Sequence, residues 1–103
     1  MEATLTIRQA YRAMVAFLDA YIEETQSRDV ASEMWEFRLG PHGETGDRGT
    51  WSKWLRVARH VIGDERTKVS QHEAFGIARE FLAVFAAETN SAEFRKIADA
   101  MAA

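Results

Sequence analysis

Apolar residues recur every three to four positions from Ile7 to Ile22, at Ile7, Tyr11, Met14, Val15, Leu18, Tyr21 and Ile22, with Ala10 and Phe17 on the flank. Arg8, Arg12, Asp19 and Glu23 fall on the opposite side. That period predicts an amphipathic helix. Thr6-Ile-Arg-Gln9 supplies a capping box at its start, and the helix should end near Thr25. Ser27 can cap a second helix with Val30, Met34 and Phe37 inward; residues 35–39 alternate, so its end is compatible with helix or extended chain. Gly40 to Gly49 carries four glycines and the only proline, and reads as a loop. Asp47 or Thr50 should cap a third helix over residues 50–62, with Trp51, Trp54, Leu55, Ala58, Val61 and Ile62 inward and Gly63 as its stop. Ser70-Gln-His-Glu73 is a second capping box, opening a helix with Ala74, Phe75, Ala78, Phe81, Leu82 and Phe85 on its stripe. Ser91 caps a last helix, in which Phe94, Ile97, Ala98 and Met101 should close the core. No segment shows a convincing strand pair.

These stripes are not independent. Residues 5–30 overlay residues 69–94 at a constant offset of 64, with no gap. Ala10 falls on Ala74, Phe17-Leu18 on Phe81-Leu82, Glu24-Thr25 on Glu88-Thr89, and Ser27 on Ser91. Tyr11/Phe75 and Tyr21/Phe85 are conservative matches. The expected fold is therefore all-α and a single domain over residues 1–103. About five helices form two pseudo-repeated hairpins around a central helix that carries Trp51 and Trp54. Each hairpin needs the other to bury its stripe.

Composition narrows the function classes. At 47% hydrophobic and 28% charged residues the chain is globular in character. Without cysteine there is no disulfide, thiolate metal site or cysteine nucleophile. No basic segment followed by an apolar stretch heads the chain, and no apolar run approaches the roughly 20 residues that span a bilayer. No membrane partner and a cytoplasmic location are the expectation.

His42, His60 and His72 make no metal-ligand spacing, although His42, Glu44 and Asp47 share the glycine-rich loop. No GxSxG or SxxK is present, and Ser27, Ser70 and Ser91 are accounted for as caps. No catalytic residue and no cofactor is expected. Lys53, Arg56 and Arg59 form a basic stripe that a nucleic-acid binder would use, but the net charge of −3 argues against it.

Charge is uneven: residues 1–47 hold nine acids against four bases, and residues 48–68 hold six bases against two acids. Asp19, Glu23, Glu33, Glu36, Glu44 and Asp47 are the candidate partner-binding acids, suited to a basic partner. Trp35 and Trp51, flanking the loop, are the candidate aromatic anchors.

The run Ala10-Tyr-Arg-Ala-Met14-Val-Ala-Phe17-Leu18-Asp-Ala-Tyr21-Ile-Glu-Glu24-Thr25-Gln-Ser27 resembles the immunity proteins of bacterial contact-dependent growth inhibition and related polymorphic toxin systems. Asp47-Arg-Gly-Thr-Trp51-Ser-Lys-Trp54-Leu55 resembles their second block, except that Arg48 stands where proline is expected. The resemblance implies a non-catalytic cytoplasmic antitoxin that binds one cognate toxin domain, commonly a nuclease such as a tRNase, and occludes its active site. The competing readings are a helical adaptor that forms a homodimer through the Trp35/Trp51 region, and a nucleic-acid-binding module.

Overall fold

A computed structural model describes residues 4–39, 48–63 and 67–102. Within them lie β1 (Thr4–Thr6), α1 (Ile7–Thr25), α2 (Arg28–Phe37), α3 (Arg48–Ile62), β2 (Lys68–Ser70), α4 (Gln71–Thr89) and α5 (Ala92–Ala102). Among the described residues the architecture is all-α apart from a two-stranded ribbon and a single bridge residue at Leu39.

The helix ends are set by short-range chemistry. Thr6 Oγ1 accepts from the Gln9 amide at 3.0 Å, and Gln9 Oε1 accepts from the Thr6 amide at 2.8 Å. Ser70 and Glu73 repeat this reciprocal pair at 3.0 Å in each direction. Each box satisfies amides that a helix leaves without an internal partner. Both 19-residue helices then end on a non-glycine residue in the left-handed region, Gln26 at φ 59° and Asn90 at φ 56°. A side chain in that region costs about 1–2 kcal/mol. Part of this cost is offset at Gln26, whose side-chain amide donates to the Glu23 carbonyl at 2.9 Å. Ser27 and Ser91 come next as caps, accepting from the Val30 and Phe94 amides.

The capping boxes, the left-handed helix ends and the serine caps all recur at the offset of 64, so the two halves are structural repeats: β1, α1 and α2 against β2, α4 and α5. Their symmetry can be read from the ribbon. The strands pair antiparallel as Thr4↔Ser70, Leu5↔Val69 and Thr6↔Lys68. Shifting each residue by 64 into the other repeat turns the first pair into the third and leaves Leu5↔Val69 unchanged. The operator is a local two-fold axis through the Leu5–Val69 pair.

This ribbon is absent from the sequence expectation, and the reason is physical. Three residues per strand cannot display a period of two. The pairing is tied down at the C-terminal end of each strand, since both run directly into a capping box.

The core follows the stripes with three corrections. Helix α3 begins at Arg48, so Thr50 lies inside it and is buried, not a cap. Asp47, the other candidate cap, lies outside the described residues, as do residues 40–46 of the predicted loop. Val57 joins Trp54 and Ala58 in the core, whereas Val61 is exposed, because the inward arc of α3 is centred nearer Val57 than the apolar pattern suggests. Phe75, expected on the inward stripe of α4, is 48% exposed, and Ile77 is buried instead. The end of α2 settles as helix through Phe37 with Arg38 extended.

An aromatic chain runs through the interior. Trp54 stands edge-on to Tyr11 (5.2 Å between ring centroids) and to Phe81 (5.3 Å). Phe37 then joins Phe81, Phe85 and Phe94 at 5.9, 4.9 and 6.0 Å. Edge-to-face contacts of this kind favour ring quadrupoles as well as burial. Helix α3 is thus a wedge driven between the first turns of α1 and the length of α4.

Candidate functional site

The sequence-predicted acids do not form one cluster. Asp19 is paired: Arg38 grips its carboxylate with both terminal nitrogens, at 2.8 and 3.3 Å. The contact ties the end of α2 back to α1, and with its side chain still 42% exposed Asp19 meets solvent as half of a surface ion pair. Glu23 is exposed in the last turn of α1. That turn contains no basic residue, so Glu23 and Glu24 add negative charge where the helix carbonyls are already negative. Glu33 and Glu36 are half-buried on one flank of α2. Glu36 faces Tyr11 closely enough for its charge to act on the phenol. Glu44 and Asp47 lie outside the described residues.

The two tryptophans separate. Trp35 is 60% exposed on the outer side of α2. Trp51 is half-buried, edge-on to Tyr11 at 5.5 Å and covered by the Arg8 guanidinium 4.5 Å from its ring centroid. It belongs to the wall of the core, whereas Trp35 stands outward.

The basic stripe on α3 is reduced in the same way. Lys53 pairs with Glu88, the repeat counterpart of Glu24, leaving Arg56 and Arg59 exposed. Among the described residues, no group of three histidines, cysteines or carboxylates could hold a metal ion, and no helix is long and apolar enough to cross a membrane.

Tyr11 carries the most perturbed ionisation. It is fully buried, and its hydroxyl donates to the Phe37 carbonyl at 2.6 Å. Burial, reinforced by the charge of Glu36, pushes the phenol well above its ordinary value of 10.0. Because the folded value is the higher one, this stabilisation is complete below the unfolded value and is lost as pH rises past it. Above about pH 10, Tyr11 should cost the fold up to roughly 1.4 kcal/mol per pH unit. Tyr11→Phe should lower stability near pH 7 by about 1 kcal/mol through the lost hydrogen bond. It should also flatten the alkaline decline. Urea titrations of both proteins from pH 7 to 11 check this, and parallel declines would refute it.

The feature that the sequence pattern did not reveal is a trough between α1, α4 and α5. It is walled by Phe17, which is 44% exposed, and Phe75, with Ala13, Met14 and Gln71 nearby, and has a volume of about 340 Å³. A second hollow of about 400 Å³, reaching Tyr21 and Lys96, adjoins it across Phe17, Phe75 and Met101. The available signal was the repeat: the counterparts of Phe17 and Phe75 are Phe81 and Tyr11, both fully buried.

No protein-family model matches the chain, and no curated protein or solved structure matches it significantly.

Proposed function

We propose that this chain is an immunity protein: a stoichiometric, non-catalytic inhibitor that binds the domain of a bacterial toxin in the cytoplasm and covers its active site. The observation that carries the reading is Trp35, an indole held 60% in water on a well-capped helix. Returning that surface to an apolar environment is worth about 2–4 kcal/mol, at about 25 cal/mol per Å². A large aromatic on a rigid element is the residue type that anchors protein interfaces. The resemblance of residues 10–27 to the antitoxins of contact-dependent inhibition supplies the partner class.

Electrostatics supports a basic nuclease as that partner. Glu23 and Glu24 at the end of α1, with Glu33 and Glu36 on α2, set negative potential on the first repeat. Enzymes that grip nucleic acid are rich in Lys and Arg, so complementary charge would speed capture. Inhibition would be steric, by covering the substrate channel.

Co-expression with the polypeptide encoded immediately upstream tests the reading. A co-purifying complex and protection of cells from that toxin domain are expected; absence of both would defeat it. Within such a complex, Trp35→Ala should weaken binding by about 2 kcal/mol or more, roughly 30-fold. Isothermal titration against the purified toxin domain gives the number, and an unchanged affinity would remove Trp35 from the interface.

A further inference from the structure

The ribbon that joins the two repeats has a local two-fold axis, and α3 has no counterpart under it among the described residues. It fills one of two grooves that the offset of 64 relates. In the filled groove, Trp54 stands between Tyr11 of α1 and Phe81 of α4, and its indole nitrogen donates to the Ile7 carbonyl at 3.2 Å. Lys53, one residue earlier, pairs with Glu88. Val61, two turns later, reaches within 3.6 Å of the position that a side chain on Gly76 would occupy. Helix α3 therefore runs antiparallel to α4, from Glu88 back to Gly76.

Applying the offset of 64 gives the other groove. Tyr11 and Phe81 become Phe75 and Phe17. The Ile7 carbonyl becomes that of Gln71, and Phe85 becomes Tyr21. Phe17, Tyr21, Gln71 and Phe75 all line the open trough. Glu88 becomes Glu24, which is exposed and pairs with no cation among the described residues. Glu80 and Val84, which border α3, become Ala16 and Ala20, both exposed. The groups that seat the Lys53–Trp54 half of α3 thus have counterparts of suitable chemistry around the trough, whereas Gly76, against which Val61 packs, corresponds to Arg12, so the match covers that half of the helix alone.

We propose that this trough is a docking site for an amphipathic helix of a partner polypeptide. The helix carries a basic residue immediately before a large aromatic one and lies antiparallel to the second half of α1. Its aromatic ring enters between Phe17 and Phe75, and its cation pairs with Glu24. The occupant's chemistry is read from α3 itself, which solves the same geometric problem on the other side of the axis. Helix-in-groove recognition with a central aromatic anchor is a common mode of partner binding. The site is separate from the Trp35 surface and stands whether or not the immunity reading does.

The test uses the full chain and a fluorescent peptide of residues 50–62, held helical by a side-chain staple between positions 52 and 56, both exposed on α3. The staple removes the ordering cost that a short helix would otherwise carry. Saturable binding is expected, with amide NMR shifts along α1 from Ala13 to Glu24 and at Gln71 to Phe75. Ala16→Arg, on a residue already in solvent, should weaken binding at least about tenfold without changing helical content. Glu24→Lys should weaken it too, and a peptide carrying Lys53→Glu should restore binding to that variant. No binding at millimolar peptide, shifts confined to the α3–α4 seam, or indifference to Ala16→Arg would overturn the proposal. A chain dimer in light scattering that Ala16→Arg dissociates would also overturn it, replacing the partner helix with a second copy.

Discussion

Trp54→Ala should remove a large share of the stability of this fold. Trp54 is fully buried, and its ring is the contact through which the first repeat, the second repeat and α3 meet. Truncating a buried aromatic costs about 3–5 kcal/mol, as lost transfer energy plus the cavity left behind. A domain of this size typically has only about 5–15 kcal/mol in total. Little relaxation is available here, because Tyr11 is held by its bond to the Phe37 carbonyl and Phe81 by its contact with Phe37. Trp54→Phe should cost less, since it keeps an edge-on ring and loses mainly the bond to the Ile7 carbonyl. Urea denaturation followed by circular dichroism measures both, with the slope checked for two-state behaviour. A loss below about 1 kcal/mol for the alanine variant would mean that α3 does not act as a wedge between the repeats.

That wedge also marks the limit of what the sequence displays. Helix ends were legible because capping is local: Thr6 with Gln9, and Ser70 with Glu73, carry their own chemistry within four residues. The repeat was legible because matched caps and matched stripes share one offset. The side of the α1–α4 pair that α3 covers was not legible. An apolar residue on a helix reads the same whether a neighbour lands on it or not. Phe75 therefore looked like core, and Val61 looked buried. The pairings around the candidate site were hidden for a related reason. Asp19 and Glu23 are alike in the sequence, but only the fold brings Arg38 to Asp19. Trp51 and Trp35 both flank the loop, but only the fold lays Arg8 over Trp51. The missed trough is the sharpest case, because its walls are the repeat partners of two of the most buried aromatics in the molecule.

The same asymmetry yields a matched pair of substitutions in which residue type and repeat position are held constant. Phe17 and Phe81 are both phenylalanine, at equivalent places on helices of equal length with equivalent caps. Phe81 is fully buried between Trp54 and Phe37, whereas Phe17 is 44% exposed on the trough wall. Phe81→Ala should cost about 3–5 kcal/mol. Phe17→Ala forfeits only the covered part of its ring and opens no enclosed cavity, so about 1 kcal/mol is expected. Local helix propensity changes identically in the two variants, so the difference isolates what α3 contributes on one side of the axis and leaves undone on the other. If thermal or urea unfolding gave equal losses, Phe17 would be packed in solution as deeply as Phe81 and the trough would not be a free surface. A clear gap between the two values leaves that surface available to another molecule, and it makes the broken symmetry of the fold the source of its binding capacity.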